Sequence, residues 1–171
     1  MATRPRLTDM AGKSKSKAAG DGRKIVAENP RARYDYTIVD TLEAGMVLTG
    51  TEVKSMRQGK ATIKESYVRV ENDEVWVIGM NIATYEQGNV FNHEPMRTRK
   101  LLLHRKEIND LHVHVTRKGN TIIPVSLYFK DGRAKLAIAV AKGKDAGDKR
   151  RAISERDNKR QLDRALKERN Y

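Results

Sequence analysis

The sequence predicts a mainly β fold, a small antiparallel barrel with two or three short helices and a basic extension at each end. Three observations predict it. Apolar-alternating segments flank Asn72-Asp73 and again Asp131-Gly132, turn pairs that tolerate the backbone of tight hairpins. Within residues 43–70, Thr49 and Gly59 bracket one short helix among strands: Thr49 with Glu52 three residues on is a capping box, and Gly59 can stop the helix. Lys and Arg total 35 against 22 acidic residues, a net charge of +13 that calls for an anionic partner.

The chain divides into a flexible basic arm at 1–24, a barrel at 25–140 and a basic tail at 141–171. The arm carries too little apolar surface to offset the entropy of ordering it. Pro30 keeps its neighbours extended, and Arg31 and Arg33 would share one side of a strand that continues through Tyr36, Ile38 and Leu42. A strand into Gly45 and a second at 46–48 precede the helix, whose Val53 and Met56 share a face.

The first hairpin, 67–71 with 74–78, sets Val70 opposite Val75 and Val68 opposite Val77, with Arg69 facing Trp76 as a cation–π pair or as a lid over a packed ring. A further strand is expected at 81–85, a polar loop at 87–95 and a buried strand at 101–103. Ile108, Leu111 and Val115 stripe a helix over 105–118. In the last hairpin Leu127 should meet Leu136, Val125 Ile138 and Ile123 Val140, with Pro124 marking an edge, a bulge or a strand start. The tail has only Ile153, Leu162 and Leu166 as large aliphatics, too few to hold a helix in water. It reads as disordered when free and helical on a partner, with Asp163 and Lys167 spaced as an ion pair.

Catalysis finds little support. The four histidines do not make a helical metal pair, the serines lack an elbow motif, and no phosphate-cradling glycine loop occurs. No cysteine is present, so disulfides and thiolate metal sites are excluded, which suits a reducing cytoplasm. No stretch approaches the roughly 18 apolar residues of a membrane span. The expectation is no enzyme, no cofactor and no metal. Nucleic-acid binding fits better: Arg31 and Arg33 with Tyr34, Arg97, Arg99 and Lys100, and Tyr128 with Lys130, Arg133 and Lys135 interleave cations with rings. Many short strands with one capping helix suggest five or six barrel strands, for which the OB fold is the commonest small type.

The strings NPRARYDY, EAGMVLTGTEVKSMRQGKA, NHEP, RTRKLLLH, TIIPVSLYFKDGRAKLAIAVAKGK and DKRRAISERD, in this order, resemble the SmpB family of SsrA-binding proteins over residues 25 to about 160. The resemblance implies an OB-type barrel that binds the tRNA-like domain of transfer-messenger RNA (tmRNA) and enters ribosomes stalled without a stop codon. It assigns Glu43, Leu102 and His104 to an RNA face, to which charge adds Arg31, Arg33, Arg99, Lys100, Lys130, Arg133 and Lys135. The same resemblance implies that Lys144, Asp148, Lys149, Arg150, Ile153 and Arg156 belong to a tail that enters the 16S rRNA decoding centre and mRNA channel. The expected partners are tmRNA and the ribosome, with no membrane, for a cytoplasmic monomer. The chain departs from the family's common pattern at Asp145, Gly147 and Ser154. A structural ribosomal protein and an RNA-processing enzyme are the competing readings.

Overall fold

Antiparallel pairing closes the sheet on itself. The computed structural model describes residues 22–117 and 119–169. Its strands are β1 (Arg23–Glu28), β2 (Tyr36–Met46), β3 (Ala61–Thr62), β4 (Tyr67–Glu71), β5 (Glu74–Ile78), β6 (Asn81–Ile82), β7 (Arg99–Leu102), β8 (Asn120–Lys130) and β9 (Arg133–Gly143). Helices are α1 (Ala32–Asp35), α2 (Gly50–Arg57), α3 (Arg105–Thr116) and α4 (Ala146–Arg169). The order β8-β4-β5-β7-β2-β9 returns to β8, because β8 also pairs with β9, and β1 adds along the free half of β8. β3 and β6 form a separate two-stranded sheet.

Local chemistry explains the turns. Asn72 and Asp73 adopt φ of 50° and 60°, and Asp131 and Gly132 adopt 50° and 75°, the left-handed pair that a two-residue hairpin needs. The first hairpin has the expected register, Val68 with Val77 and Val70 with Val75. Thr49 and Glu52 form the capping box, with Thr49 N–H donating to Glu52 Oε2 at 2.7 Å. Gly59 follows the helix at φ +78°.

The barrel interior is packed with Met56, Leu101, Ile122, Leu127, Leu136, Ile138 and their neighbours, each nearly or fully excluded from solvent. At roughly 25 cal/mol per Å² of apolar surface removed from water, this burial drives closure. Leu111 of α3 joins that core, whereas Val115 of the expected stripe is exposed.

Several expectations change. The 46–48 strand is absent: β2 runs unbroken to Met46, and Val47 N–H then donates to Lys100 O. The strand expected at 81–85 is only Asn81–Ile82, and Leu102 is exposed rather than buried. Arg31 caps and Arg33 belongs to a helical turn, not a strand, so residues two apart diverge. A bulge at Val125 shifts the last hairpin: Leu127 meets Leu136 as expected, but Ile122, not Ile123, meets Val140, and Pro124 meets Ile138. Pro124 has no N–H for the ladder, and a bulge accommodates that loss. Ile123 therefore turns to a second small cluster with Ala32, Ala139 and Ala141.

At the chain's ends, Arg23 and Lys24 already belong to β1, so the barrel begins two residues before the expected boundary. The rest of the expected arm, residues 1–21, lies outside the described residues. The tail forms the helix α4, and its Leu162 and Leu166 are exposed. The Lys167 side chain, and with it the expected pair to Asp163, falls outside the described residues.

Candidate RNA-binding surface

Three segments distant in sequence meet around Glu43. Glu43 of β2 is in register with Ala137 of β9, and Gly45 with both Lys135 and Leu102. Glu43, Leu102, Leu103, His104, Glu107 and Lys135 line a cleft of about 430 Å³. An adjoining cleft of about 400 Å³ shares Leu102 and Lys135 and adds Gly45, Met46, Val53, Phe129 and Arg133. Gly45 fits closely at the join: a Cβ there would sit 3.3 Å from Leu102 Cβ, tighter than ordinary packing.

The carboxylate at the centre is held from two sides. Tyr128 O–H donates to Glu43 Oε2, and Lys135 Nζ lies 3.7 Å from Oε1. Tyr128 belongs to β8, one strand beyond β9 from Glu43, and Ala137 in register with Glu43 presents only a methyl group between them. Arg23 covers the Tyr128 ring at 5.1 Å. The Tyr128 hydrogen bond is the largest influence and pulls the Glu43 pKa down; burial opposes it, and Lys130, Lys135 and Arg23 add to the depression. Glu43 is therefore an oriented anion in a basic surround. Such a carboxylate accepts from 2′-hydroxyls and base amino groups, while Lys135 and Arg133 suit phosphates. His104 sits exposed at the start of α3, its N–H donating to Glu107 at 2.7 Å.

Not every expected residue lies here. Arg99 is 0% exposed and belongs to the fold's interior. Its Nε donates to Glu52 Oε1 at 2.8 Å, and its other nitrogens donate to Met80 O, Arg97 O and Pro95 O. It alternates with buried Leu101, and that parity along β7 was the available signal for an inward side chain. Lys100 shares the outer face with Leu102, but its ammonium pairs with Glu74 and rests 5.9 Å from the Trp76 ring. Lys100 thus takes a cation–π position beside Trp76, and Arg69, expected there as a cation–π partner or a lid, lies 3.9 Å from Glu71. Lys130 pairs with Arg133 across the turn and acts on Glu43 through its charge.

Arg31 and Arg33 are remote from the cleft. β2 separates them, and Tyr36 at its start is seven residues, on the order of 23 Å, from Glu43. Lys144, expected in the tail, is tied to that far end: Nζ donates to Arg33 O at 2.9 Å and its N–H to Asp35 O at 3.0 Å. Along α4, Asp148, Arg150, Ile153 and Arg156 are exposed, and the Lys149 side chain lies outside the described residues. Phe129, Gly45 and Glu107 were missed as parts of the surface, and Tyr128, expected there as a ring among cations, was not expected to orient Glu43. Tyr128 was legible in part, since it alternates with Lys130 on the strand opposite Lys135.

Fold and cleft together define a class: a basic antiparallel β-barrel of the RNA-binding kind. The family model described as "SmpB protein" matches residues 26–168, and the chain belongs to that family. It is 53% identical over 150 residues to the SsrA-binding protein of Acetivibrio thermocellus, covering 88% of this chain and 97% of that protein. It is 56% identical over 155 residues to the SsrA-binding protein of Sphingopyxis alaskensis, covering 90% and 96%. A solved structure described as "tmRNA-SmpB: a journey to the center of the bacterial ribosome" superposes with a TM-score of 0.60 at 47% identity, covering 70% of this chain and 84% of that one.

Proposed function

We propose that this chain is a non-enzymatic RNA-binding adaptor that acts in the cytoplasm. It holds the tRNA-like domain of tmRNA in the Glu43–Leu102–His104–Lys135 cleft and delivers it to ribosomes stalled on messages without a stop codon. One observation carries the reading: β2, the β7–α3 junction and β9 place these four side chains around a single cleft. The family membership and the net charge of +13 support the same partner. In this reading the tail, with Asp148, Lys149, Arg150, Ile153 and Arg156, senses the vacant decoding centre and mRNA channel. Phosphate contacts there offset the cost of ordering a segment with few apolar residues.

The test is tmRNA binding across a salt series, against an unrelated duplex RNA. Preferential tmRNA binding that weakens steeply with salt is expected; equal affinity for both RNAs contradicts the reading. Truncation after Lys144 separates the two parts, because β9 extends to Gly143 and Lys144 is bonded to the α1 turn. That variant is expected to keep tmRNA affinity and lose tagging on stalled ribosomes. Stoichiometric retention on vacant ribosomes after a high-salt wash would favour a structural ribosomal protein instead.

A further inference from the structure

The loop between β6 and β7 carries two exposed apolar side chains that the cleft does not use. Val90 is 95% exposed and Phe91 89%, the highest values among the large apolar side chains of the described residues. Leaving both in water is unfavourable for the free protein. The loop is nevertheless fixed. Asn92 clamps it through both amide atoms, accepting from Tyr85 N–H at 2.9 Å and donating to Tyr85 O at 2.8 Å. Gly88 N–H donates to Tyr85 O, and Phe91 N–H to Gly88 O. A ring held out by a closed hydrogen-bond clamp is pre-organised for contact, which lowers the ordering cost of binding.

Charge identifies the occupant. Helix α2 connects this loop to the cleft: its Val53 lines the cleft, Arg57 reaches the Phe129 ring at 5.8 Å, and Lys54 lies 5.4 Å from the Tyr85 ring of the clamp. Of the loop's two acidic groups, Glu86 is paired with Lys60, and Glu94, two residues past Asn92, is exposed. The basic surface therefore continues from the cleft across α2 to the loop. A cationic surround with a projecting aromatic ring matches an RNA strand with an unpaired base, since every base offers a π-face and phosphates accompany it.

We propose that Phe91 is a stacking platform for an unpaired RNA base, with Val90 packing beside it and Lys54 contacting the adjoining phosphate. The inference rests on the reading of this protein as an RNA-binding adaptor, and the base belongs either to tmRNA or to ribosomal RNA.

Full-length Phe91→Tyr, Phe91→Leu and Phe91→Ala separate these cases. Each is measured first for tmRNA affinity, then, as the protein–tmRNA complex, for binding to stalled ribosomes. At its exposure, residue 91 is not needed for folding. Phe91→Tyr is expected to match the wild type, and both Phe91→Leu and Phe91→Ala to lose about tenfold. A loss in the first measurement assigns the base to tmRNA, and a loss confined to the second assigns it to ribosomal RNA. If Phe91→Leu binds like the wild type while Phe91→Ala is weakened, the contact is apolar packing against a protein and the inference is wrong. A flat series beside a wild type that binds overturns this inference alone. A wild type that binds neither tmRNA nor ribosomes overturns the functional reading and this inference with it.

Discussion

Glu43 and Glu52 are the same side chain put to opposite uses. Glu52 is 0% exposed, and each of its oxygens accepts twice: Oε1 from Arg97 Nε and Arg99 Nε at 2.8 Å each, Oε2 from Arg97 at 2.6 Å and Thr49 N–H at 2.7 Å. Nothing remains for a ligand. Glu43 is about one third exposed, is oriented by Tyr128 and Lys135, and keeps acceptor capacity toward the cleft. The contrast teaches that on a cationic protein a carboxylate serves the fold when its lone pairs are all taken. It serves recognition when it is aimed but not filled.

The largest effect should come from emptying the saturated site. Glu52→Ala leaves Arg99 buried without its counter-ion and is expected to cost about 3–5 kcal/mol of stability. Denaturant unfolding measures this, and a cost below about 1 kcal/mol would place the cluster outside the fold's essential interior.

Acid should expose the same group. Burial raises the Glu52 pKa, but the hydrogen bonds from Arg97, Thr49 and Arg99 outweigh it and hold the value at about 2, below the ordinary 4.5. The folded-state value is the lower one, so the contribution is complete above about pH 4.5 and is lost as pH falls through about 2. Wild-type stability should therefore decline through that window more steeply than that of Glu52→Gln.

Next in size is the aimed carboxylate. Glu43→Lys replaces an acceptor with a donor and is expected to weaken tmRNA binding by roughly 10- to 100-fold, read by filter binding or calorimetry, with folding intact. The smallest effect belongs to its support. Tyr128→Phe removes the hydroxyl that orients Glu43, so the Glu43 pKa should rise, as read by carboxyl NMR titration, and tmRNA affinity should fall a few-fold. An unmoved Glu43 titration would show that Lys135 and its neighbouring cations do the orienting.

Much of the fold could be read locally. The hairpin at Asn72-Asp73 and the helix between Thr49 and Gly59 depend on residues within one or two turns of each other, so turn and capping chemistry identified them. Reading failed where a distant partner decides. The bulge at Val125 changes which side chains face the core, and nothing within the strand counts that extra residue. Arg99 looked like one cation in a basic run, because its counter-ion Glu52 stands 47 positions away. Glu43, Leu102 and His104 came from motif resemblance, and only closure of the ring brings them together with Lys135. Arg31 and Arg33 share their charge but not their location, since β2 carries the chain to the other end of the barrel before Glu43 is reached.

The most direct measurement is Glu43→Gln, followed in parallel for tmRNA affinity and for urea midpoint. Loss of affinity of tenfold or more with an unchanged midpoint is the predicted result. Unchanged affinity, or a midpoint that drops as far as that of Glu52→Ala, would contradict the distinction between a carboxylate aimed at RNA and one locked in the fold.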